Sequence, residues 1–385
     1  MKILFVTLVN PIIGKANVDI FHNAQRLSEK GHEVHLITRK KPGFKRKYSQ
    51  DDSITVHHLA FWMPFISLLF CPVFFLRVIL LTGKIQPDVI AVENNLHAPF
   101  AGYLAGKFWG IPYAFLLREL TADAIYHNQS QLFLKRWGAW FWMKLTHRLL
   151  KRAPHKLAIN QGIKDYYERM LGQTISSAWL IGYDLDNFLL ADQQVNELRE
   201  KYNLNESRNY LLYAGSLDTH RGLFTVLKAM CDLGDGHNFH LLITGEGKGI
   251  NKMKRFVSQS KLEDRVSFLD WVEERDIYGI ARIAQIGIEP YERLWPQNHT
   301  PSTKVALYVA ADLYILARQA PGYKELLRPG VKYSFFGDVD ELRTLLLNHK
   351  NGDPSFSPGQ ENFKELVNSQ QTSDWMEKFL ISAAA

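Results

Sequence analysis

Two loops in the second half of the chain carry residue types that bind phosphate. The first lies in Tyr210–Met230, which reads as an apolar strand, a loop with two glycines and an amphipathic helix. Gly215 would allow a phosphate to approach the backbone closely, and Arg221 adds a fixed positive charge. The helix N–H groups that follow Gly222 would point at the same phosphate.

The second loop, at the start of Pro301–Ala311, repeats this arrangement. Pro301 and Ser302 are typical of a helix start, and Ser302, Thr303 and Lys304 lie in or beside the first turn. The helix dipole disfavours a lysine there, which slightly favours a bound anion. The two loops together indicate a diphosphate site, although either one alone would favour an ordinary capped helix.

Composition restricts the class of protein. A length of 385 residues fits two domains, and a net charge of +7 indicates an anionic partner: nucleic acid, anionic lipid or a phosphorylated substrate. Cys71 and Cys231 lie far apart without metal-ligand spacing, which argues against a disulfide framework and fits a reducing compartment. Met1–Val9 is too short for a signal peptide and predicts a buried strand.

Both halves alternate apolar strands with helical segments, the pattern of a doubly wound parallel α/β sheet. We predict domains at 1–188 and 189–360, with the polar run Ala191–Arg208 as linker and a last helix, 361–382, packing back on the first domain. The predicted strands are Lys2–Val9, Glu33–Thr38, Pro87–Glu93, Tyr113–Leu117, Lys156–Asn160, Ser177–Ile181, Tyr210–Ala214, His240–Thr244, Val266–Leu269, Ile286–Glu289 and Tyr314–Ala317.

Five segments, in order and over nearly the whole chain, resemble a known family: Pro87–Leu120, Leu180–Phe188, Tyr213–Gly222, Leu241–Gly249 and Thr303–Ala317. They are similar to motifs of bacterial glycosyltransferases of the GT-B fold, particularly the retaining family 4 group. The resemblance implies two Rossmann-like domains facing across a cleft. It assigns the acceptor to the first domain and a nucleotide sugar to the second.

The implied reaction moves a hexosyl group from a nucleotide-diphosphate sugar, with retention and with neither metal nor cofactor. UDP is the favoured leaving group, and GDP is next. Such a reaction needs the leaving diphosphate neutralised, the sugar oriented and the acceptor hydroxyl deprotonated. Arg221 and Lys304 are the expected catalytic cations.

The other residues expected at the donor are Gly14, Gly215, Ser216, Gly245, Glu246, Trp271, Val272, His299, Ser302 and Thr303. Gly14 and Gly245 are also typical of plain turns. Aligned on Lys304, the two glutamates usual in the family fall at His299 and Leu307. Leu307 cannot accept a hydrogen bond from a ribose hydroxyl, and Glu246 could replace the missing carboxylate.

Arg118 and Glu119 follow a predicted strand in the first domain, where open α/β sheets bind ligands. The resemblance places them at an Arg–Asp pair of the family. Glu119 could act as base or hold an acceptor hydroxyl, or it could form a local salt bridge with Arg118. His97, before the helix Ala98–Trp109, could contact the sugar or acceptor; a helix-capping or solvent-facing histidine is equally consistent.

Two apolar regions indicate a membrane surface. Phe61–Leu81 is nearly long enough to span a bilayer, but prolines and an arginine interrupt it, which predicts a surface-seeking hairpin or helix. In Gln131–Pro154, aromatic residues alternate with cations, as is typical of an anionic interface; they include Trp137, Trp140, Phe141, Trp142, Lys144 and Arg148. The alternative is a packed helix whose core stripe is Trp137, Trp140, Phe141 and Leu145.

These features predict a cytoplasmic protein, peripheral on the inner face of the membrane, with a lipid-linked or oligosaccharide acceptor. Two rivals remain: a non-catalytic GT-B protein that binds a sugar nucleotide or a partner, and a nucleic-acid-binding protein. The chain lacks zinc, RNP and helix-turn-helix signatures, so we expect no nucleic-acid partner. The missing G-x-G-x-x-G disfavours a nicotinamide dehydrogenase.

Overall fold

The computed structural model describes residues 1–8, 20–40, 53–60, 72–95, 97–128, 133–234, 237–292, 296–300, 302–327, 331–350 and 365–385. The chain divides into two compact units. Unit 1 comprises Met1–Gly182, Leu294–Pro301 and Ser369–Ala385, and unit 2 comprises Tyr183–Arg293 and Ser302–Asn368.

Unit 1 is built on a parallel sheet in the order β3-β2-β1-β4-β5-β6-β7. Its strands are β1 (Lys2–Val6), β2 (Glu33–Lys40), β3 (Thr55–Ala60), β4 (Val89–Glu93), β5 (Tyr113–Leu117), β6 (Lys156–Ala158) and β7 (Ser176–Ser177). The helices between them are α1 (Ile20–Glu29), α2 (Pro72–Ile85), α3 (Ala98–Trp109), α4 (Thr121–His127), α5 (Phe133–Arg152) and α6 (Gln161–Leu171). The central strands are apolar on both faces because helices cover the sheet from both sides.

Unit 2 carries a second parallel sheet in the order β10-β9-β8-β11-β12-β13. Its strands are β8 (Asn209–Ala214), β9 (Phe239–Thr244), β10 (Val266–Phe268), β11 (Ile286–Glu289), β12 (Tyr314–Ala317) and β13 (Tyr333–Phe335). Its helices are α7 (Asp192–Lys201), α8 (Leu223–Asp232), α9 (Ile250–Gln259), α10 (Glu274–Ile283), α11 (Thr303–Ala310) and α12 (Val339–Lys350).

These two sheets confirm the predicted α/β fold, with three local corrections. The strands β3 and β13 were not predicted, and the strand predicted at Ser177–Ile181 is replaced by the two-residue β7, which shares only Ser177 with it. The predicted linker Ala191–Arg208 is wrong, because its first part, Asp192–Lys201, forms α7 within unit 2. Leu198 of α7 is buried and packs so closely on Gly279 of α10 that a Cβ there would lie 2.0 Å from Leu198 Cδ1.

The last helix, α13 (Ser369–Ala384), belongs to unit 1 and begins at Ser369 rather than near residue 361. It packs on α1, and in the turn that follows α1, Lys30 Nζ lies 2.8 Å from Glu377 Oε2 and His32 Nε2 lies 2.7 Å from Glu377 Oε1. A Cβ on Gly182 would lie 2.5 Å from Thr372 Oγ1, so glycine is needed for this close approach.

In each sheet the strand order runs outward in both directions from the first strand of the unit, so the order reverses at one point. In unit 1 this point is between β1 and β4, and in unit 2 it is between β8 and β11. The carboxyl ends of strands at such a switch point form the usual ligand-binding crevice of a doubly wound sheet. Each unit therefore has one strand edge at which functional side chains are expected to gather.

Candidate functional site

The loops after β8 and β9 of unit 2 are joined by backbone hydrogen bonds. Gly215 N–H donates to Thr244 O at 2.9 Å, and Leu217 N–H donates to Glu246 O at 2.9 Å. Gly245 has a φ of +125°, and a Cβ on it would lie 2.0 Å from Gly215 O. The predicted glycines therefore let two loops meet at backbone distance, which is the role of a plain turn glycine.

Arg221 lies in a short 3-10 helix directly before Gly222, the N-cap residue of α8. Its guanidinium lies over the Tyr291 ring, 4.5 Å from the centroid, in a cation–π contact. Gly222 has a φ of +82°, and a Cβ on it would lie 2.0 Å from Pro290 O. Hence Arg221 and the start of α8 are fixed against the segment that follows β11.

Lys304 contacts the same part of the chain from α11. Its Nζ lies 2.9 Å from Glu289 Oε2, and its side chain is 11% exposed. It passes along the backbone of Gly215, since a Cβ there would lie 3.1 Å from Lys304 Cδ and 3.5 Å from Nζ. Ser302 is the N-cap residue of α11, but its hydroxyl donates to Glu289 Oε2 at 3.2 Å instead of capping the helix.

We call Arg221, Glu289, Ser302 and Lys304 the cation cluster, since both cations contact Glu289–Tyr291 at the carboxyl end of β11. Sequence reasoning missed Glu289. It appeared as the last residue of an apolar predicted strand, and a charged residue ending such a strand beside a switch point was the available signal.

The remaining predicted donor residues of unit 2 lie near these loops with varied exposure. Ser216 is half-buried and donates to Asp218 Oδ2 at 2.7 Å, a bond that helps to lower the pKa of Asp218 below its ordinary value. Glu246 is exposed, Val272 is buried, and Trp271 and Thr303 are half-buried. Leu307 is buried in α11.

His299, predicted for the donor, is placed in unit 1 and is buried there. Its ring lies 5.7 Å from that of Tyr166, and its Nε2 lies 3.3 Å from an Arg169 guanidinium nitrogen. The Tyr166 hydroxyl donates to Asp123 Oδ1 at 2.5 Å, and burial and that carboxylate raise the pKa of Tyr166 well above its ordinary value.

Unit 1 has a buried acid–cation pair at its own switch point. Glu93, the last residue of β4, is 1% exposed; it forms an ion pair with Arg118 and accepts a hydrogen bond from Thr7 Oγ1. Burial lowers the pKa of Arg118 to about 10, which still leaves the guanidinium charged at neutral pH. Arg118 therefore pairs with Glu93 on the neighbouring strand, and the charge of Glu119 also acts on the guanidinium.

Glu119 is held from two sides at the end of β5. Its Oε2 accepts from Thr121 Oγ1 at 2.7 Å and from Asn95 Nδ2 at 3.2 Å. Asn94 braces the backbone beneath it, donating to Glu119 O at 2.6 Å and accepting from Arg118 N–H at 2.7 Å. This arrangement fixes a half-buried carboxylate at the strand end, where a base or an acceptor-binding group is expected.

His97 is 5% exposed, and its ring meets that of Trp142 edge-on, with centroids 4.4 Å apart. It precedes α3 without a side-chain capping bond, so both the capping and the solvent-facing alternatives are wrong. Trp142 itself is 1% exposed, which corrects its assignment to the membrane-facing group.

The other aromatic residues of α5 face outward. Trp137 is 50% exposed, Trp140 39% and Phe141 42%, so the alternative in which they form a core stripe is wrong; the buried residues are Gly138, Ala139, Trp142, Met143, Thr146, His147 and Leu150. Lys144 and Arg148 are exposed on the same helix. Within the described residues, no helix is both long and apolar enough to cross a membrane.

Gly14 and Phe61–Cys71 lie outside the described residues. Among the residues that the structure describes, no group of three or more histidine, cysteine or acidic residues is arranged to hold a metal ion.

Two family profiles match the sequence and together span most of it. The profile described as Glycosyl transferase 4-like domain matches residues 16–175, and that described as Glycosyl transferases group 1 matches residues 194–342. No curated protein sequence matches the chain significantly.

Solved structures agree with the fold. Sucrose-phosphate synthase from Thermosynechococcus elongatus superposes with a TM-score of 0.80 at 16% identity, covering 100% of both chains. Anabaena HepE, solved with UDP and glucose, gives 0.75 at 15%, covering 99% of this chain and 100% of its own. WaaG, a glycosyltransferase of lipopolysaccharide biosynthesis, gives 0.71 at 13%, covering 99% and 98%.

Family profiles match both halves of the chain, and the two Rossmann-like sheets and the structural neighbours agree with them. The chain belongs to the group 1 glycosyltransferases of the GT-B fold.

Proposed function

We propose that the protein transfers a hexosyl group from a UDP-sugar to a lipid-linked or glycan acceptor, with retention, in polysaccharide or glycolipid synthesis. The observation that carries the donor assignment is the cation cluster, in which a lysine from the first turn of α11 lies along the backbone of Gly215. Anabaena HepE, which shares the fold, was solved with UDP and glucose, and this supports UDP as the nucleotide.

In this proposal Arg221 and Lys304 neutralise the diphosphate as it leaves, in place of a metal ion. The N-termini of α8 and α11 add oriented N–H groups at the same strand ends. Because Ser302 directs its hydroxyl to Glu289, it does not occupy the first N–H groups of α11. Preset donors of this kind stabilise developing charge without reorganising during the reaction.

Glu119 is the proposed base or acceptor-binding group of unit 1. Thr121 and Asn95 fix one of its oxygens, and the Glu93–Arg118 pair lies beneath the same strand end. We therefore assign Arg118 a positioning role toward Glu119, and the acceptor hydroxyl contacts Glu119 itself.

The donor assignment is tested by thermal unfolding with UDP, GDP, ADP and TDP and their common sugars. A ligand at a hundred times its Kd stabilises the folded state by about 2.7 kcal/mol, which gives a clear rise in Tm. We expect the largest rise with UDP or a UDP-sugar, and its loss in Arg221→Ala. A uniform absence of shifts would contradict the donor assignment.

A second candidate is a GT-B protein that binds a sugar nucleotide without turnover. It is favoured by Leu307, a buried apolar residue where the family resemblance places a glutamate. Nucleotide binding without release of UDP from any UDP-sugar, with extracted lipids as acceptors, would select it.

We further propose that unit 1 binds the inner face of the cytoplasmic membrane. Three mutually packed helices, joined by Phe75, Phe100 and Trp142, expose apolar side chains. These are Val73, Leu76 and Leu80 on α2, Phe108 and Trp109 on α3, and Phe133, Leu134, Trp137, Trp140 and Phe141 on α5. Exposed Arg77, Lys107, Lys135, Lys144 and Arg148 lie on the same helices. This mixture suits an anionic bilayer interface.

We expect the protein to sediment with anionic liposomes at low salt and to be released at high salt. Each cation near such a surface contributes about 1 kcal/mol, so reversing Lys144 and Arg148 to glutamate should weaken binding by about thirtyfold or more. The matched control reverses Lys228 and Lys252, exposed lysines of unit 2. Equal binding by both variants, or none by the wild type, would contradict the assignment.

A further inference from the structure

Glu289 is the least expected member of the cation cluster. It ends β11 at 0% exposure, with Ile286 and Ile288 of the same strand also wholly buried. One oxygen, Oε2, accepts from both Lys304 Nζ and Ser302 Oγ. The other, Oε1, is buried and has no hydrogen-bond donor among the described residues.

A buried carboxylate is costly unless it is paired, and a buried ion pair is weak evidence for stability. An apolar residue would pack at this strand end without leaving an unsatisfied oxygen. The carboxylate does, however, fix the ammonium of a flexible four-carbon side chain at one position. That position lies 3.5 Å from where a Cβ of Gly215 would stand.

We propose that Glu289 is a positioning residue for the donor: it holds the Lys304 ammonium charged and in place beside Gly215, so that the diphosphate meets a preset cation. This inference rests on the proposed donor site. Ser302 takes part in the same arrangement, because its hydroxyl at the start of α11 donates to the carboxylate and orients it.

Among the described residues, three tyrosines also lie near Lys304 or the backbone beside it. Lys304 Nζ lies 5.5 Å from the centroid of the Tyr213 ring on β8. Tyr308, also on α11, accepts from Ala214 N–H and donates to Ile288 O, and burial raises its pKa well above the ordinary value. Tyr183 donates to Thr303 O.

Removing the charge of Glu289 should make Lys304 easier to deprotonate. A cation surrounded by protein loses proton affinity when its counter-ion is removed, so the pKa of Lys304 should fall in Glu289→Gln. Glutamine keeps the shape and an acceptor for Ser302. The affinity for a diphosphate should therefore decline at a lower pH in the variant than in the wild type.

The experiment measures binding of UDP and of inorganic pyrophosphate by calorimetry between about pH 6 and about pH 10, a range that approaches the ordinary lysine pKa. We expect Glu289→Gln to bind both probes about tenfold more weakly at neutral pH and to lose binding about one pH unit earlier. Glu263→Gln, an exposed glutamate of unit 2, should match the wild type.

Glu289→Asp keeps the charge but shortens the side chain, so it should bind more weakly with the pH dependence of the wild type. If the glutamine variant does not fold, the aspartate variant still tests the positioning role. Wild-type or tighter binding by these variants over the whole pH range would overturn the positioning role. If the wild type binds neither probe, the donor site itself fails; if it binds and only Lys304→Ala loses affinity, the donor site stands and the role of Glu289 fails.

Discussion

Lys304→Ala is expected to lower kcat/KM for the nucleotide sugar by about a hundredfold or more, the usual cost of removing one preset donor to developing charge. The ammonium lies 2.9 Å from Glu289 and along the Gly215 backbone, which fixes its charge beside the proposed diphosphate site. The measurement is release of UDP from the UDP-sugar that gives the largest thermal shift, with kcat and KM determined separately.

Stability must be measured alongside this loss, because the variant leaves Glu289 buried without its cation. Breaking a buried ion pair from one side costs about 3–5 kcal/mol. The matched control is Lys254→Ala, since Lys254 is 47% exposed in unit 2 and pairs with an exposed aspartate at 3.4 Å. A folded Lys304→Ala enzyme with near wild-type turnover would remove Lys304 from the mechanism.

The two units share one arrangement, a buried glutamate at a strand end that pairs with a cation. Glu93 ends β4 and pairs with Arg118, while Glu289 ends β11 and pairs with Lys304. Each carboxylate also accepts from a hydroxyl, that of Thr7 in unit 1 and that of Ser302 in unit 2. In both sheets a buried acid beside the switch point fixes a cation at the strand ends, where ligands of doubly wound sheets bind.

Continuous apolar runs made the central strands predictable. Lys2–Val6 and Val89–Glu93 read as buried parallel strands because both faces are covered. The edge strand β3, TVHHLA, was missed because its two histidines break the apolar run, and an edge strand needs less burial. The polar composition of α7 suggested a linker, since a single buried leucine, Leu198, gives no periodic signal.

The helix starts after Gly222 and at Ser302 were predicted from local spacing, which a single sequence contains. The ionic partners of the cations were not predicted. Lys304 and Glu289 meet because the first turn of α11 packs on the end of β11, and this contact is not visible in the sequence. The same holds for Arg118, whose neighbour in sequence is Glu119 but which forms an ion pair with Glu93 on the neighbouring strand β4.

Gly222→Ala is expected to destabilise the protein by about 2–5 kcal/mol, the sum of a backbone term and a steric term. The residue has a φ of +82°, where alanine costs about 1–2 kcal/mol. Its Cβ would also lie 2.0 Å from Pro290 O, an overlap that backbone atoms can relieve only by moving apart. That movement would displace Arg221 and the start of α8 from the segment after β11, so UDP binding should fall with stability.

Gly234→Ala is the matched control for this change, because Gly234 also has a positive φ, +67°, but has nothing within 4 Å of the added carbon. It should cost about 1–2 kcal/mol, the backbone term alone. Urea unfolding of both variants, followed by circular dichroism, measures the difference between them. Equal midpoints would show that the close approach of Gly222 to Pro290 does not contribute to the stability of the fold.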